Sequence, residues 1–349
     1  MVSTLYLFAI LAAAGAAQDT TGAPVEQPLF QSHELLEFRI VANFTDLLRD
    51  VGKDRKEHRG TISYMIGSGD TISLQITLET RGNFRRDKKI CNFPPLRVDF
   101  KKKEFDSDQA RGTLFANQNK LKLVCHCQDK KDSYEQSTLQ EYLIYRTLNI
   151  LTDKSFRVRL GRFIYIDSAG KRNPLTKYAF FIEDDDLMAR RMGSEIFDQQ
   201  GIHPLDAEFA STTLLAVFQY MILNTDWSIS GLHNIKLVGP LDGTVYPIPY
   251  DFDWAGVINA PYARPDRSLG IRSVRNPLFM GYCRAESELE QAFAVFNRNQ
   301  EKIYALHRRQ VGLDERRLQR MLQDYDRFYR TINRPRLVQQ TILRQCKKR

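Results

Sequence analysis

The side chains best suited to chemistry lie between residues 224 and 254. Asp226 closes Asn224-Thr225-Asp226, Asn234 follows eight residues later, and the run Tyr250-Asp251-Phe252-Asp253-Trp254 holds two carboxylates around a phenylalanine. An acid, a carboxamide and a second acid in this order form the set that phosphoryl transfer needs. One carboxylate orients or deprotonates the attacking hydroxyl, while the amide oxygen and the second carboxylate hold the divalent cation that bridges the phosphates. Mg²⁺ takes oxygen ligands and keeps several waters, so two protein ligands suffice. Asp and Asn also cap helices and make turns. The chemical reading therefore rests on surroundings: an apolar helix before Asp226, a hairpin between Asn234 and Asp251, and apolar neighbours around Asp251 and Asp253.

Those elements can be read from periodicity. Ala207 to Leu223 is a long apolar helix, and Asn234–Val238 with Val245–Pro249 forms the hairpin, its turn spanning Gly239 to Gly243. Upstream the chain is β-rich. Phe38–Phe44 alternates, as do Gly60–Ile66 and Thr71–Thr80, which flank a Gly67-Ser68-Gly69-Asp70 tip and predict a hairpin. Further strands are expected at Leu96–Phe100, Lys120–Cys127, Arg157–Asp167 and Lys177–Glu183. One helix interrupts them, with Leu139, Tyr142, Leu143, Arg146 and Ile150 at helical spacing and Ser137 as its cap. Glu286 to Arg344 is helical, broken at Gly312 and Pro335.

With the motifs in place, the chain resembles the spore-coat kinase CotH family, a secreted branch of the protein-kinase-like fold. The resemblance spans about residues 60 to 256. It is carried by Thr80-Arg81-Gly82-Asn83 with the following Phe93–Phe100, by Tyr178–Glu183, by Asn224-Thr225-Asp226 with Asn234, and by Pro249–Trp254. It implies an α+β, two-lobed kinase-like fold: a β-rich N-lobe over residues 33–183 and a helical C-lobe over 184–349. It implies Asp226 as the catalytic carboxylate, and Asn234 and Asp251 as Mg²⁺ (or Mn²⁺) ligands. Asp253 would serve a second cation, standing where ordinary kinases have Gly. Lys122 is expected to contact the ATP phosphates, with Glu141 as its partner and Lys120 as a competitor on the same face; a solvated strand lysine is the alternative. Arg81 and Arg97 are further phosphate contacts, and Glu183 would lie where adenine binds. Asp184-Asp185-Asp186 reads as a solvated turn more readily than as a metal site. The step of eight from Asp226 to Asn234 exceeds the roughly five of a kinase catalytic loop, so residues between them must loop out.

The chain has 349 residues, 51 Lys+Arg against 42 Asp+Glu for a net charge of +9, and 42% hydrophobic residues. This composition excludes a disordered, collagenous or coiled-coil chain. The basic excess is diffuse, and no nucleic-acid motif accompanies it. The apolar run Leu5–Ala17 is expected to be a secretory signal peptide (1–17), followed by a linker (18–32); no segment suits a membrane span. Export would let some of the five cysteines pair, leaving at least one over. Cys125-His126-Cys127 lacks a second pair at zinc spacing. No Gly-x-Ser-x-Gly elbow, His-Glu-x-x-His helix or P-loop occurs, so hydrolysis by those routes is unsupported. His233 reads as a loop-packing residue rather than a base. The expectation is an exported kinase that passes the ATP γ-phosphate to a Ser or Thr hydroxyl of an exported protein. The alternatives are an inactive binding or scaffold protein of the cell envelope, and a phosphotransferase acting on a small molecule or carbohydrate. The sequence leaves the oligomeric state open.

Overall fold

The computed structural model describes residues 26–67, 69–100, 105–106, 108–240 and 243–348. The expected signal peptide and residues 18–25 of the expected linker lie outside them. The rest of that linker is not a spacer. Pro28–Phe30 form a 3₁₀ turn, Leu29 and Phe30 are buried, and the Gln27 amide donates to Glu183 Oε1 at 2.7 Å.

Seven strands build a closed barrel: β1 (Leu36–Ala42), β2 (His58–Met65), β3 (Thr71–Thr80), β4 (Leu96–Asp99), β5 (Lys120–Val124), β6 (Val158–Asp167) and β7 (Leu175–Ile182), in the spatial order β1-β2-β3-β4-β5-β7-β6. The β2–β3 hairpin forms as its alternation predicts, with Met65 opposite Thr71. Closure comes from β1 lying parallel to β6, with Phe38 opposite Phe163. A barrel has no free edge, which distinguishes this unit from the open sheet of an ordinary kinase N-lobe. Gly161 makes the closure sterically possible, because a Cβ there would sit 2.6 Å from the Phe38 ring.

Short helix α1 (Phe44–Leu47) follows β1, capped by the Asn43 side chain. Helix α2 (Asp132–Leu151) connects β5 to β6. It begins five residues before the expected Ser137 cap; the Ser137 hydroxyl instead donates back to Ser133 O at 3.0 Å inside the helix. Acidic Asp132 and Glu135 favour the positive end of the helix dipole. Beyond β7 come α3 (Asp185–Arg191), β8 (Glu195–Phe197), α4 (Phe209–Met221), β9 (Ile235–Gly239), β10 (Tyr246–Pro249), α5 (Glu286–Arg308), α6 (Glu315–Ile332) and α7 (Pro335–Val338), which runs into a π turn over Gln339–Leu343. Strands β8, β9 and β10 form a small antiparallel sheet. Gly312 stands between α5 and α6 at φ +81°, and Pro335 opens α7, as the sequence predicts.

Two hydrophobic clusters result, one inside the barrel and one among α2 and the C-terminal helices. The chain is α+β. No helix among the described residues is long and apolar enough to cross a membrane. Disulfides join Cys91 to Cys127 and Cys283 to Cys346, and Cys125 is free and buried. Disulfides persist in oxidising compartments, so this pairing is consistent with an extracellular protein.

Candidate functional site

Helix α4 ends in the core and delivers the first acid. Asn224 is buried, with its amide on Gln219 Oε1 at 2.9 Å, and its Oδ1 accepts the Asp226 N–H at 3.0 Å. The long step to Asn234 is resolved by a bridge. Ser228 and His233 exchange backbone hydrogen bonds of 2.9 and 3.0 Å, so residues 229–232 form a loop between them, with Ile229 buried. Asn234 then lands beside Asp226 at φ +52°, its Nδ2 donating to Asp226 Oδ2 at 2.9 Å and to Asp226 O at 2.8 Å. With its nitrogen so engaged, the Asn234 side-chain oxygen is left to face a further partner. His233 is exposed rather than packed, and its Nε2 lies 2.7 Å from Asp226 Oδ1.

The β9–β10 pairing brings the second acid to the same place. Pro249 stands opposite Ile235, and the Tyr250 N–H donates to Asn234 O at 3.0 Å. Asp251 follows at φ +58°, its N–H donating to Tyr145 Oη at 2.8 Å. Asp and Asn are the side chains that most readily take this left-handed conformation, so both turns suit the residues found there. Phe252 is fully buried against Tyr145 and Phe218, with ring centres 4.7 and 5.7 Å apart. This anchor fixes the backbone from which Asp251 and Asp253 project.

The residue that organises these acids is Arg85, which belongs to none of the motifs quoted above. Arg85 is buried, and its guanidinium reaches Asp251 Oδ1 at 2.5 Å, Glu141 Oε2 at 3.2 Å and Asp253 Oδ2 at 3.3 Å. Asp253 also accepts from the Tyr262 hydroxyl at 2.9 Å. One cation therefore meets three carboxylates. Burial pushes Glu141 up to about 7 even though Arg85 opposes the shift, and burial raises Asp253 well above the usual carboxylate range. Glu141 Oε1 is buried without a partner among the described residues. The segment carrying Arg85 is pinned at its end by the Cys91–Cys127 disulfide, and Phe84 packs edge-on to Trp254 at 5.3 Å. Its proximity could not be read from a local motif, because Arg85 and Asp251 lie 166 residues apart.

The expected Lys122–Glu141 pair does not form. Lys122 is paired with Asp185 on α3, which Lys236 also approaches at 3.5 Å, and Glu141 is taken by Arg85. Burial lowers the Lys122 pKa, and its ammonium lies 5.5 and 5.4 Å from the Phe156 and Tyr250 rings. The three acids after β7 are thus neither a free turn nor a metal cluster, since Asp184 caps α3 and Asp185 neutralises lysines. Arg81 is half-buried near Asp251, which partly offsets the lowering of its pKa by burial. Arg97 lies outward on β4 and pairs with Glu79 at 3.4 Å; Lys120 is also exposed, 3.9 Å from Asp99. Glu183 is fully buried and saturated: Arg191 Nε and Nη2, the Gln27 amide and the Arg157 N–H all donate to it. It is an internal clamp, with no oxygen turned to a ligand.

Among the described residues no three His, Cys, Asp or Glu side chains are arranged to hold a metal ion. An Asn–Asp oxygen pair is a different donor set. Asn234 spends its amide nitrogen on Asp226 and Asp251 gives Oδ1 to Arg85; the remaining side-chain oxygen of each is of the hard type that Mg²⁺ or Mn²⁺ takes. Cys125, His126 and Cys127 form no metal tract, because Cys127 is oxidised and His126 meets Asp129 at 2.9 Å. No model of a known protein family and no curated protein matches this chain.

Proposed function

We propose that the protein is an exported, CotH-like kinase with a two-lobed kinase-like arrangement, transferring the ATP γ-phosphate to a Ser or Thr hydroxyl of a protein substrate. The carrying observation is that Asn234 hydrogen-bonds Asp226 directly, below the Ser228–His233 bridge, and accepts the N–H of Tyr250, the residue before Asp251, at the end of the β9–β10 pair. Mg²⁺-ATP, when bound, supplies the transferable group and neutralises its charge. Asp226, one-third exposed, accepts or orients the acceptor proton, with His233 and Asn234 fixing its carboxylate. Asn234 and Asp251 hold the cation; Arg81 and Lys122 draw in phosphate charge.

One observation favours the binding-protein reading instead: Arg85 sits on Asp251, where a cation would be held. The full chain incubated with labelled ATP, Mg²⁺ or Mn²⁺ and an unfolded Ser/Thr-rich acceptor separates the two. A kinase labels the acceptor, and Asp226→Asn lowers the rate by about 10²–10⁴. Nucleotide-dependent thermal stabilisation without label supports the binder. Neither label nor stabilisation removes both. Label on a sugar or small hydroxyl compound alone points to the small-molecule or carbohydrate alternative.

A further inference from the structure

A cavity of about 120 Å³ lies between α4, the loop that follows Asp226, and the chain around the Cys283–Cys346 disulfide. A single water needs about 10–15 Å³ of such space, so the cavity admits a group of several heavy atoms. Phe279 supplies an apolar wall, Thr212 and Ser230 supply hydroxyls, and Arg284 and Lys347 are its charged residues; no Asp or Glu lines it among the described residues.

Two donors at this wall are unspent. The Trp227 indole Nε1–H and Arg284 Nη2 are both buried with no hydrogen-bond partner among the described residues, and Trp227 is only 9% exposed. Native proteins rarely leave such groups unpaired. The Arg284 guanidinium is held 4.1 Å from the Phe209 ring centre. Burial lowers its pKa and the charge of Glu288 offsets this in part, but the Glu288 carboxylate is engaged at the Ala285 N–H, 2.8 Å away. The Thr212 hydroxyl is likewise spent on Glu208 O.

The two cations are also placed by design of the backbone. Arg284 and Lys347 each directly follow a cysteine of the same disulfide. The Cys283 N–H donates to Lys347 O, and the Lys347 N–H to Gly281 O, both at 2.9 Å. Lys347 is exposed and stands at the rim.

We propose that this cavity binds a small carboxylate- or phosphate-bearing group with a short apolar stem. The anion pairs with Arg284 and the Trp227 N–H, Lys347 attracts it at the rim, and the stem lies against Phe279. The assignment is independent of phosphoryl transfer, since Asp226, Asn234 and Asp251 are not part of the wall.

Calorimetric titration of the full, oxidised chain with butyrate, with inorganic phosphate and with butylammonium tests it. Saturable binding of butyrate or phosphate, and none of butylammonium, is expected. A charge-assisted hydrogen bond is worth about tenfold in affinity or more, so Arg284→Gln should weaken binding by that factor. Trp227→Phe should weaken it less, and Lys120→Gln, on the exposed face of β5, should leave it unchanged. Butyrate and phosphate separate the two anion chemistries. Circular dichroism confirms that each variant is folded. Absence of saturable anion binding, or an affinity untouched by Arg284→Gln in a folded variant, overturns the proposal.

Discussion

At the residue scale the decisive group is Arg85. Its guanidinium is surrounded by Glu141, Asp251 and Asp253, and Glu141 and Asp253 are nearly inaccessible to water. Removing one partner of a buried ionic cluster costs more than the cluster contributes, because the remaining charges stay desolvated. Arg85→Ala is therefore expected to destabilise the fold by about 3 kcal/mol, read by urea denaturation. Adding Glu141→Gln should recover part of that loss, because a neutral amide tolerates burial better than an unpaired carboxylate. If the single variant lost less than about 1 kcal/mol, or the second change deepened the loss, the three acids would not depend on Arg85. The same residue marks the limit of local reading. Asp226, Asn234 and Asp251 were legible because each sits in a short motif at the end of a readable element. Arg85 was not, because its meaning comes only from a contact made across the fold.

At the element scale the strands and helices were largely legible, since alternation and helical spacing survive in the sequence. The bounds of β2, β3 and β6 lie within two residues of those predicted. Barrel closure was not legible, because a parallel β1–β6 contact between distant strands leaves no local trace beyond the missing Cβ at Gly161. The start of α2 was misplaced for a related reason: no side-chain cap marks it, and Lys131 stands at the cap position. The packing of α5 on α6 yields a prediction about pH. His307 is fully buried on α5, its Nδ1 2.9 Å from Ile303 O and its Nε2 3.2 Å from the Tyr325 hydroxyl on α6. A neutral ring with Nδ1–H donating and Nε2 accepting satisfies both contacts. Burial accordingly lowers its pKa from 6.5 to about 4. The unfolded chain thus binds the extra proton first, so stability should fall as pH drops from 6.5 towards 4, by up to about 3 kcal/mol. His307→Gln should flatten that part of the stability–pH curve. An unchanged slope in the variant would place the acid sensitivity elsewhere.

At the scale of the whole molecule, β5, β6 and β7 make the barrel and the helical part a single thermodynamic unit. Successive residues of a strand point to opposite faces. On β7, Ala179 and Phe181 enter the barrel cluster while Phe180 and Ile182 enter the helical cluster. On β6, Phe163 and Tyr165 face the barrel, and Val158 and Leu160 face the helices. On β5, Leu121 and Leu123 face inward and Val124 outward. This three-stranded wall is shared between the two clusters, and Glu183 at its end is clamped by Gln27 from before the barrel and Arg191 from α3. Melting either cluster strips apolar cover from the other, at about 25 cal/mol for each Å² exposed. Calorimetry of the oxidised chain should therefore show one transition, with van't Hoff and calorimetric enthalpies in agreement. A fragment ending at Glu183 keeps α2 on β7 but strips the C-terminal helices from α2, and should lose cooperative folding. Two resolved transitions, or a folded soluble fragment, would mean that the wall is not shared. The positions of Lys122 on β5 and Asp185 on α3 would then be set independently, and a site assembled between them would lose its rigid frame.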